Sequence, residues 1–113
     1  MTVKGSGRGG RNTEFALACL LEMEKIRDEL SGCDWLIVSL ASDGRDGPTD
    51  SAGAWINGES SQLAARAGLN PQNFLDNNDS YSFFQKIGGL IFTGPTGTNI
   101  MDLRFFFIVP AEK

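Results

Sequence analysis

The sequence predicts an α/β fold: a single layered domain with a mixed, largely parallel sheet flanked by helices. Three observations lead there. Apolar residues recur at helical spacing through Phe15, Cys19, Met23, Ile26 and Leu30. Short apolar runs of strand length stand on both sides of helix-forming stretches. Glycine-rich loops begin where the predicted strands end, the edge at which open α/β sheets carry their ligand crevices.

Thr2 to Lys4 has the composition of a strand stub, and Gly5-Ser6-Gly7-Arg8-Gly9-Gly10 can only be a loop. The first helix follows, with Asn12 or Thr13 as its cap and Glu14 suited to its positive end. Ala16, Leu17, Leu20 and Leu21 widen its apolar face, so its first turns should be buried nearly all round. Gly32 is the stop signal. Trp35-Leu36-Ile37-Val38-Ser39-Leu40 is a continuous apolar run, the pattern of a strand covered on both faces in a parallel sheet. Ala41 to Gly53 is a Gly/Asp/Pro loop, and Ala54-Trp55-Ile56 a short strand. Ser60 opens a brief helix that Gly68 ends. Asn70-Pro71 opens another, with proline at its first position. Asp79-Ser80 starts a third short helix, broken by Gly88-Gly89. Leu90 to Thr93 is a buried strand and Leu103 to Val109 the last one. The aromatics Phe83, Phe84, Phe92 and Phe105 to Phe107 are expected in the core.

Composition limits the function. The 113 residues are 41% apolar and 21% charged, ordinary values for one compact domain. A net charge of −4 argues against general binding to nucleic acid or an anionic membrane. The longest apolar run, Phe105 to Pro110, is too short to span a bilayer, and the first residues lack the apolar stretch of a signal peptide. Two cysteines, Cys19 and Cys33, in apolar surroundings predict reduced, mostly buried thiols and a cytoplasmic protein. The absence of histidine excludes a His-based triad and His-ligated zinc. No Ser or Cys has a local base partner, so nucleophilic catalysis has no support.

Eight of the fourteen glycines fall in three loops. The first satisfies G-x-G-x-x-G through Gly5, Gly7 and Gly10, but the acidic residue a dinucleotide site needs about 20 positions on is missing, because position 30 is Leu30. Arg11 and Asn12 replace the Lys and Ser/Thr of a P-loop. What remains is a helix N-terminus with Gly7, Gly9 and Gly10 beside Arg8 and Arg11, suited to a phosphate or carboxylate. A tight turn with two solvated arginines would read the same. In the second loop, Asp43-Gly44-Arg45-Asp46-Gly47-Pro48-Thr49-Asp50, Asp-Gly pairs are turn chemistry first; Asp43 and Asp46 could also hold Mg²⁺ with waters and substrate oxygens. In the third, Thr96, Gly97, Thr98 and Asn99 offer hydroxyls and an amide to a sugar or phosphate, or form a plain strand-to-strand turn. All three loops are expected around one concavity, with Arg8 and Arg11 facing Asp43 and Asp46 across it.

Taken in order, these loops resemble the MOFRL domain, the C-terminal domain of the glycerate 2-kinase family, some members of which are labelled hydroxypyruvate reductase. The resemblance rests on Val3 to Asn12 with Glu14-Phe15-Ala16-Leu17, Asp43 to Ala54, Asn78-Asp79-Ser80 with Phe83-Phe84, and Thr93 to Asn99 with Asp102-Leu103. It covers residues 1–113 nearly whole. It implies a larger Rossmann-like N-terminal domain, absent here together with the lysine the family brings to the site, and an interdomain cleft. There, ATP with Mg²⁺ would phosphorylate the 2-hydroxyl of D-glycerate. It also implies catalytic roles for Arg8, Arg11 and Asn12, and substrate or phosphate contacts from Gly7, Gly9, Gly10, Asp43, Asp46 and Thr96 to Asn99. The family's Gly-Gly-Glu before the first strand is missing, so a separately expressed domain or fragment is expected.

Two other functions fit parts of the sequence. One is a stand-alone, non-catalytic module binding an anionic metabolite or docking on the other lobe. The other is a hydroxypyruvate reductase component, which the missing ribose-binding acid disfavours.

Overall fold

The computed structural model describes residues 7–97 and 101–111. The strand expected at Thr2 to Lys4, and the candidate site residues Thr98 and Asn99, lie outside them. The elements are α1 (Arg11–Lys25), β1 (Cys33–Ala41), β2 (Gly53–Asn57), α2 (Ser60–Arg66), α3 (Pro71–Asp76), α4 (Ser80–Ile87), β3 (Leu90–Ile91) and β4 (Asp102–Pro110).

The strands form one four-stranded sheet in the order β3-β2-β1-β4, and every neighbouring pair is antiparallel. This corrects the expected parallel arrangement. β1 and β2 are joined by a loop, residues 42–52, with no crossover helix to return the chain to its starting edge, so they must run opposite ways. β1 and β3 do share a direction, but β2 lies between them. The register pairs Leu40 with Gly53, Gly53 with Ile91, and Ala41 with Asp102. The ends of β1 and β3 and the starts of β2 and β4 therefore meet at one edge of the sheet.

The helices pack on one face. Leu17 and Leu20 of α1, Ile37 of β1, Ala54 and Ile56 of β2, Ala64 of α2, and Phe83 and Phe84 of α4 form the buried core. Phe83 and Phe84, both fully buried, meet edge to face at 5.2 Å, and their burial is worth about 2 kcal/mol each. The other expected core aromatics are exposed: Phe92, Phe105, Phe106 and Phe107 are 58%, 43%, 56% and 53% accessible. β1 buries Ile37, Ser39 and Ala41, whereas Leu36, Val38 and Leu40, on the opposite face, are only half-buried. The continuous apolar run is thus covered on one side by the helices described here.

α1 begins at its Gly10 cap, ahead of the expected Asn12 or Thr13, and its regular turns end at Lys25. Beyond, Arg27, Asp28 and Glu29 are exposed, and the chain continues in turns to Gly32, whose φ is +86°. Its first turns are buried as expected, through Asn12, Thr13, Glu14, Ala16 and Leu17. Ser60 is the first residue of α2, and its hydroxyl accepts the Asn57 N–H. Asn70 caps α3 by accepting the Gln72 N–H at 3.0 Å, and Pro71 follows it. Cys19 and Cys33 are free and half-buried.

Candidate functional site

Three loops and one helix terminus converge where the strands end. Gly10, extended at φ −120°, precedes α1, and its N–H donates to Thr13 Oγ1 at 3.1 Å. Two open N–H groups of the first turn point to Asp46. Its Oδ1 accepts the Asn12 N–H at 2.8 Å and its Oδ2 the Thr13 N–H at 2.8 Å. A carboxylate 33 and 34 residues away in sequence thus caps the helix and meets its positive end. The loop carrying Asp46 is closed by the Asp46 N–H to the Ser51 carbonyl at 2.7 Å and by Thr49 Oγ1 to the Asp46 carbonyl at 2.8 Å.

Glycine permits these approaches. A Cβ on Gly10 would run into the Asp46 carboxylate, and one on Gly44 (φ +88°) into the Gly94 carbonyl. The first loop therefore sits on the second, and the second on the third. Thr96 Oγ1 adds a bond to the Ser42 carbonyl.

Asn12 is buried at the centre. Its Oδ1 accepts from Ser39 Oγ at 2.6 Å, and its Nδ2 donates to Asp46 Oδ1 at 3.2 Å and to Asp102 Oδ1 at 3.0 Å. Asp102, the first residue of β4, also takes Arg11: Nη2 donates to Oδ1 at 3.3 Å, and Nε lies 3.3 Å from Oδ2. Arg11 stays 62% exposed, held at the rim by a two-point contact.

Arg11, Asn12, Ala41, Asp43, Arg45, Asp46, Gly47 and Asp102 line a pocket of about 270 Å³. Asp43 and Arg45 also line an adjoining pocket of about 520 Å³, closed by Pro48, Thr49, Gly94 and Pro95. The Arg45 N–H donates to Asp43 Oδ1 at 3.1 Å, while its exposed guanidinium makes no ion pair among the described residues.

The structure brings together Gly10, Arg11, Asn12, Asp43 and Asp46, and sets Thr96 against the same loop. It alters two expected relations. Arg11 faces Asp102 rather than Asp43 or Asp46. Arg8 does not face them either: its guanidinium stacks over the Tyr81 ring at 4.6 Å, in a neighbouring pocket that shares Pro48, Thr49 and Asp50 with the larger one. Gly7 and Gly9 pack against Asp79 and Ser80, the Gly7 N–H donating to the Asn77 carbonyl at 3.0 Å. Asp102 and Arg45 also line the pocket, where the sequence did not lead one to expect them. Asp102 opens an apolar strand 91 positions from Arg11, and only the sheet order puts them side by side.

Two ionisable groups near the site depart from ordinary behaviour. Glu14 is 3% exposed; burial pushes its pKa up to about 6, against the lowering effect of the Asn78 amide, which donates to Oε1 at 3.4 Å. Its Oε2 has no partner among the described residues. The Tyr81 phenol is raised by its 2.7 Å hydrogen bond to Asp50, with burial adding to the effect. No group of three or more acidic, His or Cys side chains able to hold a metal occurs among the described residues. Asp46 has both carboxylate oxygens engaged by α1, which leaves Asp43 as the acidic side chain open to both pockets.

Residues 1–102 match the MOFRL family. The chain is 46% identical over 111 residues to a glycerate kinase of Macaca fascicularis, covering 96% of this chain and 28% of that protein. It is 43% identical to the D-glycerate 2-kinase of Thermotoga maritima, covering 95% of this chain and 24% of that protein. The crystal structure of the Thermotoga maritima glycerate kinase superposes with a TM-score of 0.86 at 42% identity, over 96% of this chain and 25% of that one. A Pyrococcus horikoshii protein superposes with a TM-score of 0.80 at 38% identity, over 100% of this chain and 24% of that one. The chain thus spans about a quarter of the length of these relatives. The match of residues 1–102 to the family, nearly the whole chain, makes the chain a member of the MOFRL family.

Proposed function

We propose that this chain is the C-terminal domain of an ATP-dependent glycerate 2-kinase and forms one wall of an interdomain cleft in the cytoplasm. The 2-hydroxyl of D-glycerate would be phosphorylated there. The observation that carries the reading is the convergence of the Gly10, Asp43 and Gly94 loops at one sheet edge, in a chain 46% identical to a glycerate kinase.

Phosphoryl transfer asks a protein mainly for position and charge. Arg11 supplies a fixed cation, oriented by Asp102 and through it by Asn12. Arg45 supplies a second, exposed one at the junction of the two pockets. Asp43 is the side chain that would hold Mg²⁺ together with waters and phosphate oxygens, a donor set that ion accepts. When bound, Mg²⁺ would offset charge on the transferred phosphoryl group. Asp46 keeps the helix terminus in register beneath them.

The test is an ATP- and glycerate-dependent turnover assay. Residues 1–113 alone should show negligible turnover, because a cleft with one wall missing loses its positioning. Joined to the remaining polypeptide of the Thermotoga maritima enzyme, in place of that enzyme's matching segment, the chain should support turnover. In that chimera Arg11→Ala should lower kcat by about 10²-fold or more. Arg45→Ala should cost less, since the Arg45 guanidinium has no ion-pair partner among the described residues to orient it before substrate arrives. Equal, small effects would show that the glycine loop is only a turn.

A further inference from the structure

The sheet face opposite the helices carries an apolar surface, bounded at one end by the exposed Asp34 opposite Val109. β1 places Leu36 and Val38 there, β2 adds Trp55 beside Val38, and β4 adds Phe105, Phe107 and Val109. Phe105 pairs across from Val38 and Phe107 from Leu36, and the two phenyl rings stack at 6.3 Å, 15° from parallel. Phe105, Phe107 and Val109 are 43%, 53% and 54% exposed. Among the described residues no helix lies over this face. β4 is also an edge strand, nine residues long, whose charged residues Asp102 and Arg104 both sit at its start. An edge that long and apolar is a liability unless something covers it. The apolar surface is on the order of several hundred Å², the size that marks a contact site.

We infer that this face is the docking surface for the remaining polypeptide of the full-length kinase, which turns the two-layer domain into a three-layer one. The inference rests on the reading above that the chain works as part of a longer enzyme. Two observations select the occupant. The relatives carry about three quarters of their length outside the matched segment. A segment tethered to the domain also meets the face at an effective concentration in the millimolar range, well above that of a second copy. β1 fits the same picture, since an uninterrupted apolar run is the pattern of a strand covered on both sides.

The test uses Phe107→Cys, with the other cysteines replaced by serine, and the rate of maleimide labelling. It is measured in residues 1–113, in the chimera with the Thermotoga maritima polypeptide, and at the aligned position of the intact Thermotoga maritima enzyme, which keeps the test valid should the chimera not fold. Glu29→Cys, on an exposed turn, is the control in the first two. Labelling at Phe107→Cys should slow by about 100-fold or more in the longer proteins, with Glu29→Cys unchanged. Equal labelling in the short and long chains overturns the inference. So does protection in residues 1–113 that grows with protein concentration and is absent from the longer proteins, which would assign the face to a second copy. Activity of the chimera is recorded alongside. Protection without turnover supports the docking and removes the kinase reading; turnover with free labelling does the reverse.

Discussion

Asp46 and Glu14 are both buried against the first turns of α1, and their surroundings differ in kind. Asp46 receives two backbone N–H groups and an amide, so it is an internal cap. Asp46→Ala would leave the Asn12 and Thr13 N–H groups buried without acceptors, and should cost about 2–3 kcal/mol of unfolding free energy, measured in urea. Asp46→Asn keeps one carbonyl acceptor and should lose less. Glu14 has an oxygen with no partner among the described residues and a pKa raised from 4.5 to about 6. Folding therefore favours its protonated form. Its contribution to stability is fully present below pH 4.5, falls as pH rises toward 6, and is gone above that. Glu14→Gln should raise the melting temperature at pH 7.5, by an amount equivalent to about 2 kcal/mol, and change little at pH 4. A substitution that destabilises equally at both pH values would show that charge burial is not the controlling cost. From sequence, Asp46 and Asp43 look alike, two acids each followed by glycine. Which one faces inward depends on where α1 begins, and that is set by contacts the local pattern does not carry.

Elements were more legible than their arrangement. Helical period located α1, and Asn70-Pro71 located α3, because both signals are local. The antiparallel sheet was not legible. An apolar run such as Trp35 to Leu40 reports that a strand is to be covered on both faces and is silent about the direction of its neighbours. The loops were found by their glycines, yet their reason is packing as much as ligand approach. Gly44→Ala tests this: with φ at +88° and its new Cβ aimed at the Gly94 carbonyl, it should separate the second and third loops. The expected result in the chimera is a loss of 1–3 kcal/mol in stability, on the order of the strain of such a conformation, together with a raised KM for substrate. A variant with unchanged stability and KM would mean that the two loops do not depend on each other.

At the scale of the whole molecule, the site borrows from both ends of the described sequence. Arg11 and Asn12 come from the start, Asp43 and Arg45 from the middle, and Asp102 from the first residue of the last strand, which also pairs with β1 along nine residues. This separation gives the domain a timetable. During synthesis α1, β1, β2 and the small helices can emerge and begin to pack while β4 is still inside the ribosome, and at that stage Arg11 has no carboxylate to orient it. The 91-residue gap closes only when β4 is released and zips along β1. The nascent domain can therefore be largely folded and still lack the Arg11–Asp102 contact, so that, on the function proposed above, competence is the last property the domain acquires.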